Sequence, residues 1–232
     1  MESRTETGQS NYRVKREEAL HYLGYGGQEI TPGLTDRIEE LCARCERTSN
    51  PGFTYRIFPA DDTRGDIRLT GTTLVLTGSD IYAHLKGAEQ VAVLAATAGL
   101  GNERELRRLS ATNGLDAAIY GAAGSAFVES VADACNARIV EEAKAHDLWC
   151  NWRFSPGYGD LPLSLQPAII RVLDADKRLG ITVTDTNLLL PAKSVTAFVG
   201  LFDTPQDDRR SCAHCNFAPY CNLRKAGTQC YR

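Results

Sequence analysis

The chain has 232 residues, 43% hydrophobic and 24% charged, which is enough to bury an ordinary globular core. Its formal net charge of −3 and the lack of a Lys/Arg run argue against a nucleic-acid partner. The longest apolar run, residues 91–96, is too short to span a bilayer, and residues 1–5 lack the apolar core of a signal peptide. We therefore expect a cytoplasmic protein without membrane partners.

The first half of the chain mixes helical and strand patterns. Residues 1–12 are polar and predicted to be disordered. Helical spacing and end signals predict helices at residues 14–23, 34–47, 79–85 and 102–110. Alternation and apolar runs predict strands at residues 53–59 and 90–98, with a hairpin at 67–76. The continuous apolar strand at 90–98 is expected to be central and buried.

A long helix is predicted over residues 115–145, and one side of it carries small residues. Small residues at this spacing allow either tight packing on a sheet or close approach of a ligand. Glu129 lies one turn after Ser125 on the same face, where it is either a solvated surface residue or a carboxylate that holds a cationic ligand. After this helix we expect a strand at 148–154, a helix at 165–179 and strands at 181–184, 188–190 and 194–202.

Residues 153–160, Arg-Phe-Ser-Pro-Gly-Tyr-Gly-Asp, form the densest local signal. Arg153 offers a planar fork of donors that suits a carboxylate, and Tyr158 offers a ring face for an adenine or a cation. Gly157 permits a positive φ and lets a flat ligand approach the main chain near Ser155. A carboxylate, a cation and an adenine in one small molecule describe S-adenosylmethionine. The same residues also make an ordinary turn.

Six of the eight cysteines fall into two kinds of setting. Cys42-x-x-Cys45 lies late in a predicted helix, where the helix dipole does not favour a reactive thiolate, so unreactive thiols are expected. Four more cysteines lie in a tail with little other apolar content, residues 203–232: Cys212, Cys215, Cys221 and Cys230. These four can supply ligands for Zn²⁺ or an iron–sulfur cluster, and the alternative is a thiol-rich tail without metal.

The order of motifs resembles a known family. Arg-x-Ser-Pro-Gly-Tyr at residues 153–158, after a long helix with small residues, resembles the activation (reactivation) domain of cobalamin-dependent methionine synthase. It resembles free-standing proteins similar to that domain more closely. Residues 18–25, 124–129 and 190–197 support the resemblance through their order and spacing, which extends over about residues 14–202.

The resemblance implies an S-adenosylmethionine site on this domain. Arg153 would pair with the ligand's carboxylate, the backbone at Ser155 and Gly157 would meet the adenine edge, and Tyr158 would pack against the ligand. The family's acidic contact on the long helix matches either Ser125, where it would be lost, or Glu129. A second acidic contact, near residues 24–27, has no acidic match in this chain.

The implied function is reactivation of a corrinoid methyltransferase by reductive methylation of cob(II)alamin. The chain is too short to add a corrinoid domain and has no Asp-x-His-x-x-Gly stretch, so the cobalamin would arrive on a partner methyltransferase subunit. A donor such as flavodoxin or ferredoxin would supply the electron. Two alternatives are a metal- or iron–sulfur-binding electron-transfer adaptor that acts through its tail, and an S-adenosylmethionine sensor without redox function.

We expect a single α+β domain at residues 14–202, between a disordered segment at 1–13 and the cysteine-rich tail. A twisted, mainly antiparallel sheet would carry the helices at 115–145 and 165–179. Methyl transfer needs no general base, which agrees with the scattered positions of the four histidines.

Overall fold

A computed structural model describes residues 4–8 and 12–206. The helices are α1 (Arg16–Tyr22), α2 (Pro32–Thr48), α3 (Ser79–Leu85), α4 (Gly99–Thr112), α5 (Gly114–Lys144), α6 (Gln166–Leu173) and α7 (Ala175–Leu179). The strands are β1 (Arg4–Thr7), β2 (Gly52–Asp61), β3 (Ile67–Leu69), β4 (Val75–Leu76), β5 (Gln90–Thr97), β6 (Trp149–Cys150), β7 (Thr182–Val183), β8 (Leu189–Leu190) and β9 (Ser194–Phe202). This α+β architecture confirms the predicted fold class.

The main sheet has the order β4-β3-β2-β5-β9-β6, with β1 paired to β2, and neighbouring strands are antiparallel. β5 lies between β2 and β9 and is buried over nearly its whole length. A strand covered on both faces reads as a continuous apolar run, which explains why residues 90–98 predicted a central strand. β7 and β8 form a separate hairpin.

Helices cover both faces of the sheet. On one face, α5 packs with α1 and α2 over Ala92, Leu94 and Ala96 of β5. On the other face, α3, α6 and α7 pack over the alternate residues Val91, Val93 and Ala95. Because successive side chains of a strand point to opposite faces, the apolar residues of β5 contribute to both apolar layers. Within residues 4–8 and 12–206, no helix combines the length and the apolar content that a membrane crossing requires.

α5 confirms the predicted long helix. The side chain of Asn113 caps it by accepting hydrogen bonds from the backbone N–H groups of Leu115 (3.1 Å) and Asp116 (3.2 Å). Buried alanines such as Ala123 and Ala126 let this helix lie close to the sheet. Small residues on α5 therefore serve tight packing over much of its length.

Two expectations are wrong in part: disorder at residues 1–13 and a strand at residues 148–154. Disorder is wrong for Arg4–Thr7, because β1 pairs with the start of β2, where the hydroxyls of Thr5 and Thr54 lie 3.0 Å apart. The strand expected at 148–154 is reduced to β6 and a single bridge at Phe154. The side chain of Asn151 interrupts it, since Oδ1 accepts from Gly200 N (2.8 Å) and Nδ2 donates to the His84 carbonyl (2.7 Å).

The helix expected at 165–179 is divided. A 3₁₀ turn at Leu163–Leu165 leads into α6, and Asp174 then takes the left-handed conformation with φ 52° and separates α6 from α7. Aspartate tolerates this conformation better than most residues, so the sequence does not forbid the break. The break places the buried Ala175 against the sheet.

Candidate functional site

The loop at 153–160 leaves the sheet through a glycine turn. Phe154 exchanges two backbone hydrogen bonds with Phe198 of β9, at 2.9 and 2.8 Å. The chain then turns, with Tyr158 N donating to the Ser155 carbonyl (3.1 Å) and Gly157 N donating to the Leu161 carbonyl (2.7 Å). Gly157 has φ 94°, which side chains disfavour. The turn therefore depends on Gly157.

Asp160 ties the turn to the start of α3. Its carboxylate accepts hydrogen bonds from the backbone N–H groups of Ser79 and Asp80 and from the Ser79 hydroxyl (2.9 Å). Burial opposes ionisation, but these hydrogen bonds offset it and lower the pKa of Asp160. Gly159, with φ 50°, lies against Asp80 so closely that a Cβ would collide with it. The two segments are thus held together by contacts that neither sequence indicates by itself.

An open hollow of about 270 Å³ lies beside this loop. Its walls are formed by Glu129, Trp152, Arg153, Ser155, Pro156, Tyr158, Gln166, Leu189, Ser194, Val195 and Thr196. The Tyr158 side chain is 48% exposed, so its ring is accessible at the rim. Of the predicted ligand residues, Glu129, Arg153, Ser155 and Tyr158 meet in this one hollow, and Gly157 lies within the same turn.

The free edge of β9 forms the back of the hollow. Within the described part of the chain, β6 and Phe154 pair with β9 only at residues 198–202. Backbone direction alternates along a strand, so Ser194 and Thr196 turn their N–H and C=O groups the same way as Phe198, toward the hollow. The Thr196 hydroxyl donates to Gln166 Oε1 (2.7 Å) and so connects this edge to α6. The hollow therefore offers backbone donors and acceptors for a flat polar ligand.

Ionic contacts hold Arg153 in place. The side chain is 7% exposed, and Nη2 donates to Glu129 Oε2 (3.1 Å) and Asp133 Oδ1 (2.9 Å) of α5. Lys15 Nζ lies 3.5 Å from the other oxygen of Asp133. Asp133 was not among the predicted ligand residues, although it lies four residues after Glu129 on the same helix face. Arg153 thus meets two carboxylates of its own chain.

The two alternatives for the helix position, Ser125 and Glu129, lie in different surroundings. Glu129 lines the hollow, whereas Ser125 does not. The Ser125 hydroxyl donates to the Gly121 carbonyl (3.2 Å) and accepts from Lys193 Nζ (2.7 Å). Glu129 is therefore the acidic side chain of α5 that a molecule in the hollow would meet.

The cysteines of the described residues are free thiols. Cys42 and Cys45 are buried, and burial raises the pKa of Cys42 to about 11 and that of Cys45 to about 12. Among residues 4–8 and 12–206, His, Cys, Asp and Glu side chains form no cluster suited to a metal ion. The predicted metal ligands Cys212, Cys215, Cys221 and Cys230 lie outside the described residues.

Comparisons with known proteins yield a structural match. No family model matches the chain, and no curated protein matches its sequence. A solved structure described as the MetH reactivation domain bound to AdoHcy superimposes with a TM-score of 0.66. The match covers 99% of this chain and 87% of that one, at 16% sequence identity. The chain has the fold of the MetH reactivation domain. This finding confirms the fold that the motif order led us to expect.

Proposed function

We propose that the hollow binds S-adenosylmethionine and that the chain serves as a reactivation subunit for a cobalamin-dependent methyltransferase. One observation carries the proposal: Arg153, Ser155, Pro156 and Tyr158 of the Arg-x-Ser-Pro-Gly-Tyr motif line an open hollow within the fold of a domain solved with AdoHcy. AdoHcy is S-adenosylmethionine after loss of its methyl group. A site that holds one is suited by shape to hold the other.

The charges of the hollow suit the amino-acid end of this ligand. Glu129 presents a carboxylate with a side chain 30% exposed, which can receive the ammonium or the sulfonium charge. Arg153 stands beside it with a guanidinium whose described contacts all run through Nη2, so its other N–H groups can reach a ligand carboxylate. A zwitterionic group can therefore enter between two side chains of opposite charge.

The nucleoside end is proposed to lie along the glycine turn. Tyr158 supplies a ring face, and the backbone at Ser155 and Gly157 supplies the edge that would meet the adenine. Because the hollow is open, a methyl group on sulfur can face outward, toward a partner. The chain's task in this proposal is to bind and orient the methyl donor.

The cobalamin is proposed to lie on a corrinoid-binding partner. One electron from a donor such as flavodoxin or ferredoxin, together with the methyl group of S-adenosylmethionine, would restore methylcobalamin and release AdoHcy. The described residues need to supply no general acid or base for this transfer. Their contribution is orientation and the exclusion of competing ligand poses.

An anaerobic reactivation assay tests the proposal. The full chain is mixed with a cob(II)alamin-loaded corrinoid protein, a one-electron reductant and S-adenosylmethionine, and the absorbance of cob(II)alamin is followed. We expect its conversion to methylcobalamin only when the chain is present. Binding of S-adenosylmethionine without conversion would favour the sensor, and metal in the purified protein without ligand binding would favour the adaptor.

A further inference from the structure

Gln166, the first residue of α6, is a buried amide in the wall of the hollow. It is 5% exposed, and its Oε1 accepts a hydrogen bond from the Thr196 hydroxyl (2.7 Å). Among the described residues no acceptor meets Nε2 of this amide, yet Nε2 is not one of the side-chain atoms that are both sealed from solvent and unpaired. The Nε2 group therefore retains access to open space, and the hollow is open space that Gln166 lines.

The hollow spans the two faces of the sheet at the edge of β9. Arg153 and Glu129 lie on the face covered by α5, where they pair with each other. Side chains two residues apart on a strand point the same way, so Thr196 lies on the opposite face with Phe198, in the layer of α3, α6 and α7. A ligand whose amino-acid end meets Glu129 and Arg153 therefore extends its nucleoside end toward Gln166.

The glycine turn lies beside the same end of α6. Gly157 faces the 3₁₀ turn that leads into Gln166, since a Cβ on Gly157 would lie 3.3 Å from Leu163 Cδ2. Ser155 and Tyr158 line the hollow together with Gln166. The Gln166 amide and the loop proposed to meet the adenine are therefore neighbours.

A fixed amide donor suits the edge of a purine ring. The N1, N3 and N7 atoms of adenine are acceptors that carry no hydrogen. Because Oε1 is occupied by Thr196, the amide presents its donor side to the hollow. A ring nitrogen that reaches Nε2 gains a hydrogen bond, whereas a base with C–H or N–H at that position leaves a buried donor unpaired.

We propose that Gln166 determines the base specificity of the site, with Nε2 donating a hydrogen bond to a ring nitrogen of adenine. The inference rests on the proposed function, because it concerns the same ligand in the same hollow. Thr196 acts as the positioning residue that fixes the orientation of the amide. Arg153 and Glu129 keep the amino-acid end of the ligand.

Calorimetric titration with AdoHcy and three of its deaza analogues tests the contact. In each analogue one of N1, N3 and N7 of the adenine is replaced by C–H, so each removes a single acceptor. We expect Gln166→Met to weaken AdoHcy binding about 10-fold. One analogue should already bind the unsubstituted chain about 10-fold more weakly, and Gln166→Met should change its affinity by less than about twofold.

A second variant separates the donor from the packing of the side chain. Gln166→Glu keeps the size of the residue and an acceptor for Thr196 but replaces the donor by an acceptor, so AdoHcy binding should fall at least as far as in Gln166→Met. Gln206→Glu is the matched control, because it makes the same exchange beyond the far end of β9, where Nε2 donates to the Thr204 carbonyl (3.1 Å). It should leave every affinity unchanged.

The remaining outcomes decide different points. If the unsubstituted chain binds no AdoHcy, the proposed function fails and the contact fails with it. If that chain binds AdoHcy and Gln166→Met weakens all four ligands equally, or weakens none, only the contact is overturned. Undiminished binding of AdoHcy by Gln166→Glu overturns it as well. Thermal unfolding shows whether each variant is folded, and Gln166→Glu carries the test if Gln166→Met is not.

Discussion

The link between Asp160 and α3 gives a prediction whose size follows from the structure. The carboxylate serves as an acceptor for the first N–H groups of α3, which lack partners within the helix. Replacing such an acceptor by alanine costs about 0.5–2 kcal/mol. Because Asp160 is exposed, we expect Asp160→Ala to lower the free energy of unfolding by about 1 kcal/mol, or roughly 2–4 °C in Tm for a domain of this size.

The pH dependence of this effect has a definite sign. The folded state lowers the pKa of Asp160, so its contribution is complete above the ordinary aspartate pKa of about 3.9. The contribution is lost as the pH falls through the lower pKa of the folded state. The difference between the unsubstituted chain and Asp160→Ala should therefore be full at pH 7 and shrink below about pH 4.

Urea unfolding followed by circular dichroism measures both effects, and ligand titration adds a third. Asp160→Asn keeps one acceptor oxygen and should lose less stability than Asp160→Ala. Ligand affinity should fall in the same order, because Ser155 and Tyr158 lie on the turn that Asp160 holds. Asp203→Ala, at an exposed position after β9, is the control. If Asp160→Ala and Asp203→Ala have the same free energy of unfolding at pH 7 and below about pH 4, the contact between Asp160 and α3 does not hold the turn.

Three other substitutions test single parts of the account. Arg153→Ala should weaken S-adenosylmethionine binding by about 2–3 kcal/mol, because the ligand loses a cation and Glu129 loses the partner that holds it; unchanged calorimetric affinity would contradict this. Tyr158→Ala should weaken binding whereas Tyr158→Phe should be mild, and equal losses in the same titration would assign the effect to the hydroxyl. Replacing Cys212 and Cys215 by Ser should release metal from the purified protein by elemental analysis, and a parent chain that carries no metal rules the tail site out.

The sequence predicted those structural features that depend on residues within a single segment. Residues 153–158 combine Pro and Gly within one short segment, so their turn could be predicted from local rules. The long helix and the central strand could be predicted for the same reason, because periodicity is a local property. The resemblance left Ser125 and Glu129 open for the acidic contact, and the structure places Glu129 beside this turn.

Contacts between distant segments could not be read in this way. Asp160 contacts Ser79, about 80 positions away in the chain, and neither segment's sequence indicates the contact. Arg4–Thr7 is polar and becomes a strand only because β2 offers it an edge. The break at Asp174 is a tertiary effect as well, since helical spacing continues through it in the sequence. Such features depend on packing, which overrides local propensity.

Isothermal titration of the full chain with S-adenosylmethionine tests the central claim most directly. The account predicts saturable binding of one ligand per chain, competed by AdoHcy and reduced by Tyr158→Ala. If a folded chain gives no binding heat with S-adenosylmethionine at millimolar concentration and no competition by AdoHcy, the glycine turn beside β9 is only a turn.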